Sequence, residues 1–301
     1  MKLYIARTAG FCMGVDMALR KLDQALAQTP RNGSIYTLGP IIHNPQVLEY
    51  YARRGVNQLT PQTNLGPEDT VVIRAHGIPL HVQKKYTATR VTLLDATCPK
   101  VKKAQVLIQR QARLNKHLLL FGEPDHPEVQ GLISYARDYT IFESMDELQS
   151  LPLSSEKKYF IAAQTTQDRD LFTSLSRYLQ EHIDVNMTLV DTICTATKER
   201  QDEVRHIANK VQVMVIVGGR TSGNTRRLAQ IAQESGVETV HVETTAELPM
   251  EQLQHAQHIG LTAGASTPSW IIDDVARCLR TGQKSLQQNH EVEDGQHKHS
   301  P

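Results

Sequence analysis

The sequence has little net charge and no long apolar run. Its 33 Lys and Arg residues nearly balance 32 Asp and Glu residues, giving a formal charge of +1, so composition gives no reason to expect nucleic acid or an anionic membrane as partner. No stretch approaches the roughly 20 apolar residues of a membrane-spanning helix. The opening residues, MKLYIARTAG, are too polar for a secretory signal. We therefore expect a cytoplasmic protein.

Closely paired cysteines are also missing. The chain has four cysteines and no CxxC pair, and disulfides are disfavoured in the cytoplasm. The pattern therefore indicates free thiols or dispersed metal ligands. Cys278 shares a helical stripe with Ile271, Val275 and Leu279, so we interpret it as a core residue.

The other three cysteines occur in a repeated phrase. It reads RVTLLDATCPKVKK around Cys98, MTLVDTICTATKERQ around Cys194 and, more loosely, KLYIARTAGFCMGVDMAL around Cys12. In each copy a strand-like run is followed by a turn and a helical segment, so the cysteine lies at a helix start. The positive end of the helix dipole favours the thiolate, which is the form that binds metal. We predict that these three cysteines are metal ligands.

Apolar strands alternate with helical patterns up to about residue 282. This alternation predicts an α/β fold with parallel sheets, in which ligands bind beyond the carboxyl ends of the strands. Because the cysteine phrase recurs, we predict three similar parallel-sheet lobes around a central cavity, related by a pseudo-threefold axis. The expected lobes are 1–97, including the N-terminal strand and Cys12, then 98–193 and 194–282. A polar, disordered tail is expected at 283–301.

Polar side chains follow several predicted strands. His43, His76 and His126 each stand in such a loop, next to Asn, Gly or Pro. Isolated histidines are most often surface or core residues, so placement alone leaves the two interpretations nearly even. The turns TSGNT and TAGAST open helices, where backbone N–H groups suit anion binding. Together these groups would make a hydrogen-bonding pocket suited to phosphate or diphosphate.

Three thiolates without a fourth leave two chemistries open. On a cuboidal iron–sulfur cluster they leave one iron open to bind and polarise a substrate oxygen. On zinc they leave one position for water, which would support hydrolysis or deamination, although no H-x-E motif is joined to closely paired cysteines as in zinc deaminases. Glu128, two residues after His126, is the obvious proton carrier, and Thr165 is placed to relay or orient it.

The motifs also resemble those of a known family. In chain order they are RTAGFCMGVDMA, IIHNPQV, RAHG, LLDATCPKV, HPEVQG, AAQTTQ, DTICTATKERQ, SGNTRRL and TAGAST. This ordered set resembles that of the 4-hydroxy-3-methylbut-2-enyl diphosphate reductases, the last enzymes of the methylerythritol phosphate route to isoprenoids, over residues 1 to about 282. The resemblance implies a trilobed protein around a [4Fe–4S] cluster held by Cys12, Cys98 and Cys194, whose apical iron binds the substrate hydroxymethyl oxygen.

The resemblance also implies roles for the other site residues. The implied catalytic residues are Glu128, Thr165 and His126, with Glu128 transferring the proton. The implied substrate-binding residues are His43, His76, His126, Thr165, Thr197, Ser222, Gly223, Asn224 and Ser266. At Gly223 the family commonly has serine, so we expect weaker or rearranged diphosphate binding there, with the glycine N–H as a replacement donor.

The reaction that the resemblance implies is a reductive dehydroxylation. Two electrons pass singly through the cluster, the hydroxyl leaves as water, and the products are isopentenyl and dimethylallyl diphosphate. A ferredoxin or flavodoxin is expected to supply the electrons, because no flavin or nicotinamide motif is visible. Two other functions stay open: a non-enzymatic iron–sulfur redox sensor, and a zinc hydrolase with three cysteine ligands.

Overall fold

Strands and helices alternate along the chain in the computed structural model, which describes residues 1–29, 32–154, 156–184 and 186–283. The elements before Cys98 are β1 (Lys2–Ile5), α1 (Met13–Gln28), β2 (Ile35–Thr37), α2 (Pro45–Arg53), β3 (Val56–Gln58), β4 (Thr70–Ile73), α3 (Leu80–Thr87) and β5 (Thr92–Asp95). Those between Cys98 and Cys194 are α4 (Pro99–Ala112), β6 (His117–Phe121), α5 (Pro127–Ile133), β7 (Tyr139–Phe142), α6 (Met145–Ser150), β8 (Tyr159–Ala163), α7 (Arg169–His182) and β9 (Thr188–Leu189). Those after Cys194 are α8 (Thr195–Ala208), β10 (Val213–Val217), α9 (Gly223–Glu234), β11 (Glu238–Val242), a 3₁₀ turn (Thr245–Glu247), α10 (Met250–Leu253), β12 (His258–Ala263) and α11 (Ser269–Thr281).

These strands form three four-stranded sheets in the described part of the chain, and every pairing in them is parallel. The first lobe has the order β3–β2–β4–β5, the second β7–β6–β8–β9, and the third β1–β12–β10–β11. The predicted α/β fold with three parallel-sheet lobes is confirmed. Because the strands of each sheet run the same way, their carboxyl ends meet at one edge, where ligands of such folds bind.

The central strands explain why each lobe has its own core. Every residue of β8 and β10 is buried, as expected for parallel strands covered by helices on both faces. In the third lobe, for example, Val215 packs with Val275 on one side of the sheet, while Met214 and Ile216 pack with Leu228 on the other. The sheets are therefore rigid supports for the loops at their carboxyl edges.

The N-terminal strand lies in a different lobe from the one predicted. β1 pairs with β12, with Leu3 opposite Ile259, and so completes the third sheet. The following helix, α1, packs Val15 and Leu19 into the core of the first lobe. The pairing was missed because parallel partners are joined by long connections, so nearness in sequence does not determine which sheet a strand enters.

The same passage between lobes occurs at the other two cysteines. β5 belongs to the first sheet, but α4, which follows Cys98, packs Ile108 into the core of the second lobe. β9 belongs to the second sheet, but α8, which follows Cys194, packs Val204 into the core of the third. Each of the three cysteines therefore lies where the chain crosses from one lobe to the next.

Three further predictions concern the rest of the chain. Cys278 is fully buried in the third core beside Ile271, Val275 and Leu279, which confirms its interpretation as a core residue. No helix among the described residues has both the length and the apolar character needed to cross a bilayer. Of the predicted tail, 284–301 lies outside the described residues, so its disorder stays a prediction.

Candidate functional site

One cavity lies where the three lobes meet. It encloses about 770 Å³ of empty space, part of it open to solvent. Each lobe contributes loops that follow two neighbouring strands: β2 and β4, β6 and β8, β10 and β12. All residues that the sequence nominated line this cavity: Cys12, His43, His76, Cys98, His126, Glu128, Thr165, Cys194, Thr197, Ser222, Gly223, Asn224 and Ser266.

The three cysteines occupy equivalent positions. Each is the N-cap residue of its helix and makes no side-chain capping hydrogen bond, so each sulfur is left for another ligand. Each backbone N–H donates to a loop that follows a strand: Cys12 to the carbonyl of Ala265 (3.2 Å), Cys98 to Ala75 (2.9 Å) and Cys194 to Thr165 (3.0 Å). These bonds help to position three half-buried thiols in the lining of the cavity.

Gly14 permits two of the sulfurs to approach each other. An ideal Cβ at Gly14 would lie 2.5 Å from Cys98 Sγ and 3.8 Å from Cys12 Sγ. A 2.5 Å contact is far inside normal van der Waals separation, so a side chain at this position would displace the Cys98 sulfur. Glycine therefore keeps the space between the start of α1 and the second cysteine open.

The structure corrects one electrostatic expectation. The pKa of the Cys98 thiol is raised, chiefly by burial, although the backbone N–H groups of Lys100 and Val101 act in the opposite direction. The neighbouring thiols of Cys12 and Cys194 raise it further. At Cys98, desolvation thus outweighs the effect of the helix terminus on the pKa of the thiol.

Arg200 is a cavity residue that the sequence reasoning missed. Its guanidinium is almost fully buried and donates to the carbonyl of Gly10 at 2.5 Å, while its Nε has no hydrogen-bond partner among the described residues. Burial lowers the pKa of Arg200, and the nearby thiols of Cys12 and Cys194 raise it. The sequence did contain a signal for this residue. Arg200 lies on the same buried stripe of α8 as Val204, where a cation without a charged partner is not expected.

Three imidazoles form a second cluster in the lining of the cavity. The ring centroids of His43 and His76 are 4.7 Å apart, those of His43 and His126 are 5.6 Å apart, and those of His76 and His126 are 5.4 Å apart. The pKa of each is lowered mainly by burial, that of His126 to about 3. The rings are therefore neutral at physiological pH and act as hydrogen-bonding groups without formal charge.

The tautomer of His126 is defined by its neighbour. Its Nδ1 accepts a hydrogen bond from the backbone N–H of Glu128 at 3.1 Å. In a neutral imidazole the other nitrogen then carries the proton. Nε2–H of His126 is therefore a donor for a ligand in the cavity.

The spacing of the three histidines distinguishes an oxyanion from a metal ion. One nitrogen of each ring lies within 4.8 Å of the others. Zinc held at about 2.0–2.1 Å would draw three such nitrogens to about 3.5 Å from one another, whereas an oxygen accepting three bonds of about 2.9 Å allows about 5 Å. His43 Nε2 and His76 Nδ1 are buried without hydrogen-bond partners among the described residues. The cluster suits an oxyanion without movement of the rings.

Glu128 is a buried carboxyl group, only 2% exposed. The backbone N–H of Thr165 donates to one carboxyl oxygen at 2.6 Å, and the Thr165 hydroxyl donates to the other at 2.9 Å. Burial raises the pKa of Glu128 to about 7, although both hydrogen bonds from Thr165 lower it. Near neutral pH the group therefore exchanges a proton readily, which is the property of a general acid or base.

The third lobe supplies uncharged donors. Ser222 caps α9, and the hydroxyl of Ser266 donates to the carbonyl of His43 at 3.1 Å. The amide nitrogen of Asn224 is buried and has no hydrogen-bond partner in the described part of the chain. An ideal Cβ at Gly223 would meet only ordinary contacts, the nearest 3.4 Å away. Position 223, where the family motif predicts serine, therefore has room for a side chain, but its glycine offers no hydroxyl group.

Sequence comparisons identify relatives that match most of the chain. The profile of the LytB protein family matches residues 3–280. The 4-hydroxy-3-methylbut-2-enyl diphosphate reductase of Nitratidesulfovibrio vulgaris (strain DSM 19637 / Miyazaki F) is 52% identical over 282 residues, which cover 93% of this chain and all of the relative. The reductase of the same name from Geobacter sulfurreducens is 38% identical over 278 residues, covering 91% of this chain and 95% of the relative.

Solved structures give the same result. A structure of (E)-4-hydroxy-3-methyl-but-2-enyl diphosphate reductase, the terminal enzyme of the non-mevalonate pathway, superposes with a TM-score of 0.68 at 36% identity and covers 93% of this chain and 99% of its own. The E-1-hydroxy-2-methyl-but-2-enyl-4-diphosphate reductase from Plasmodium falciparum superposes with a TM-score of 0.86 at 27% identity, covering 92% of this chain and 87% of its own.

Proposed function

The chain belongs to the LytB protein family and is a reductase of the terminal step of the non-mevalonate pathway, and we propose that three cysteines, three histidines and one glutamate carry out that reduction. The substrate is (E)-4-hydroxy-3-methylbut-2-enyl diphosphate, and the products are isopentenyl and dimethylallyl diphosphate. The observation that carries this assignment is the convergence of thiols, neutral imidazoles and a buried carboxyl group in one cavity.

The three thiols fit an iron–sulfur cluster. Cys12, Cys98 and Cys194 make no capping bonds and line one cavity, and the sulfurs of Cys12 and Cys98 both lie near Gly14. A donor set of three cysteines without a fourth matches a [4Fe–4S] cluster with one open iron. When bound, the cluster supplies one-electron redox chemistry and a Lewis-acidic position for the substrate oxygen.

The diphosphate is bound by uncharged donors. His126 presents Nε2–H, and the unpartnered nitrogens of His43, His76 and Asn224 face the same cavity. In such a buried site, N–H groups that are already oriented stabilise an anion without the cost of burying further cations.

Glu128 supplies the proton for the leaving group. The C–O bond of the allylic alcohol breaks, the oxygen leaves as water, and one C–H bond forms, so the reaction consumes two electrons and two protons. The hydrogen bonds from Thr165 hold the carboxyl group of Glu128 in the cavity, and a pKa of about 7 keeps a large share of it protonated at neutral pH. Thr197, buried in the first turn of α8, lines the same space.

The electrons come from a separate one-electron carrier, a ferredoxin or a flavodoxin. The chain shows no flavin or nicotinamide motif, and the reaction needs two single-electron deliveries. Both carriers belong to the cytoplasm, where we place this enzyme. We also propose that the chain divides into lobes at Cys98 and Cys194, because the helix after each cysteine packs on the next sheet.

Anaerobic purification tests this function. The protein should bind iron and sulfide, show the broad visible absorption of an iron–sulfur cluster, and convert the allylic diphosphate to the two products with a chemical one-electron reductant. Zinc in place of iron would favour a hydrolase. An intact cluster without turnover would favour a redox sensor, and either result would contradict the proposal.

A further inference from the structure

A second chamber opens outside the central cavity. It shares His43, His126 and Gly223 with the cavity, so the two spaces are adjacent. Unlike the inner cavity, its walls carry many charged groups. They include Glu123, Asp125, Glu143, Arg220, Arg226 and Arg227.

Across this chamber, Arg226 of α9 forms an ion pair with Glu123 in the loop after β6. The pair joins the third lobe to the second. The two side chains are 49% and 30% exposed, and an ion pair at such a position contributes little to stability. Arg226 can therefore exchange Glu123 for a more highly charged partner at little cost.

The guanidinium of Arg226 lies close to the diphosphate site. Its charge contributes to lowering the pKa of both His43 and His126. Arg226 is also nearly one helical turn beyond Gly223 on α9, and Glu123 Oε1 is 3.4 Å from the ideal Cβ position of Gly223. The ion pair thus stands directly over the position where the serine hydroxyl is missing.

We propose that Arg226 is a diphosphate-binding residue. Glu123 holds its guanidinium in the outer chamber, and the guanidinium moves to the phosphate oxygens when substrate enters. This inference rests on the proposed function, since it assumes a diphosphate ligand. A guanidinium donates two parallel hydrogen bonds to phosphate. It therefore provides the contact that Gly223 lacks, and Glu123 acts as a competing anion that the substrate displaces.

The neighbouring residue Arg227 provides a matched control. It lies in the same helix and also faces the outer chamber, but its guanidinium donates to the side chains of Gln167 (2.8 Å) and Gln230 (2.9 Å). Replacing either arginine by glutamine removes one positive charge from α9. Only Arg226→Gln removes the group that is paired with Glu123.

The test is calorimetric binding of inorganic pyrophosphate to the anaerobically purified, cluster-loaded protein. We expect Arg226→Gln to weaken binding roughly 10- to 100-fold, as for the loss of a hydrogen bond to a charged group. We expect Arg227→Gln to change binding less than about threefold. Glu123→Gln should strengthen binding several-fold because the competing carboxylate is gone, and Gly223→Ser should recover part of the loss in Arg226→Gln.

Two results would overturn the assignment. Unchanged affinity in Arg226→Gln would show that Arg226 does not contact pyrophosphate. Equal weakening in both arginine variants would show that Arg226 contributes only nonspecific electrostatic attraction. Reductase turnover of the wild type, measured on the same preparations, separates this inference from the function. A wild type that turns over while Arg226→Gln binds normally contradicts only the role of Arg226, whereas a wild type without turnover contradicts the function itself.

Discussion

At Glu128, burial and hydrogen bonding act in opposite directions on one carboxyl group. Desolvation raises its pKa, and the two bonds from Thr165 limit the rise to about 7. Neither effect alone would give a carboxyl group that both holds and releases a proton near neutral pH. A fully desolvated acid would not release its proton, and an exposed one would have lost it at neutral pH.

Replacing Glu128 by glutamine tests this role. The amide preserves shape but carries no transferable proton, so we expect turnover to fall by roughly 10²- to 10⁴-fold while iron content stays unchanged. Steady-state kinetics and iron analysis measure the two effects. Glu181→Gln, an exposed carboxyl group on α7, is the control, and near-normal turnover of Glu128→Gln would exclude it as the proton donor.

The pH profile tests the contribution of Thr165. The protonated form of Glu128 is the active one, so turnover should decrease as pH rises through about 7. Thr165→Val removes the hydroxyl bond that lowers this pKa, and we therefore expect the alkaline limb to move to higher pH. Thr173→Val, exposed on α7, should leave the limb in place. A limb that does not move, or moves to lower pH, would contradict the assignment.

At the scale of single elements, the sequence predicted the position of each cysteine because strand, turn and helix are local features. Cys12, Cys98 and Cys194 are the N-cap residues of α1, α4 and α8, as their repeated phrase indicated. The ionisation of Cys98 was not predictable in the same way. The dipole of α4 is a local property, but the burial that outweighs it depends on segments distant in sequence, such as Gly14 in α1, which lies beside the Cys98 sulfur.

The start of α1 offers a test of the cysteine site. Helix propensity alone favours alanine over glycine in α1. The new Cβ would, however, lie 2.5 Å from Cys98 Sγ, and the easiest relief is rotation of that sulfur away from the cavity. We expect a folded protein with a near-normal melting temperature but much less bound iron, measured by circular dichroism and iron analysis.

Gly66→Ala is the control for this substitution. An ideal Cβ at Gly66 meets only Asp69 Oδ2, at 3.7 Å, so iron binding should not change. If Gly14→Ala bound iron as well as Gly66→Ala, the space beside Cys98 would have no role in holding the cluster.

At the scale of the whole molecule, three lobes are linked in a ring. Each cysteine lies at a crossing between lobes, and β1 closes the ring by pairing with β12. The sequence predicted three lobes around a cavity, since the repeated phrase recurs at similar spacing. It did not predict the placement of β1 or the inward-facing Arg200, because parallel pairing and the choice of buried face depend on contacts between distant segments.

The ring also explains how residues from distant parts of the chain reach one site. A loop that follows a parallel strand points to the carboxyl edge of its sheet, and the three edges face the same cavity. A change in the packing between lobes would therefore alter the distance between the thiols and the histidines, even if each lobe kept its own fold.

The most direct test of the account is the iron and sulfide content of four variants purified anaerobically: Cys12→Ala, Cys98→Ala, Cys194→Ala and Cys278→Ala. We predict that the first three lose most of their iron and sulfide and the visible absorption of the cluster. Cys278→Ala, which alters a thiol buried in the third core, should retain both. Full retention of iron and sulfide by any of the first three, or their loss only in Cys278→Ala, would contradict the central claim.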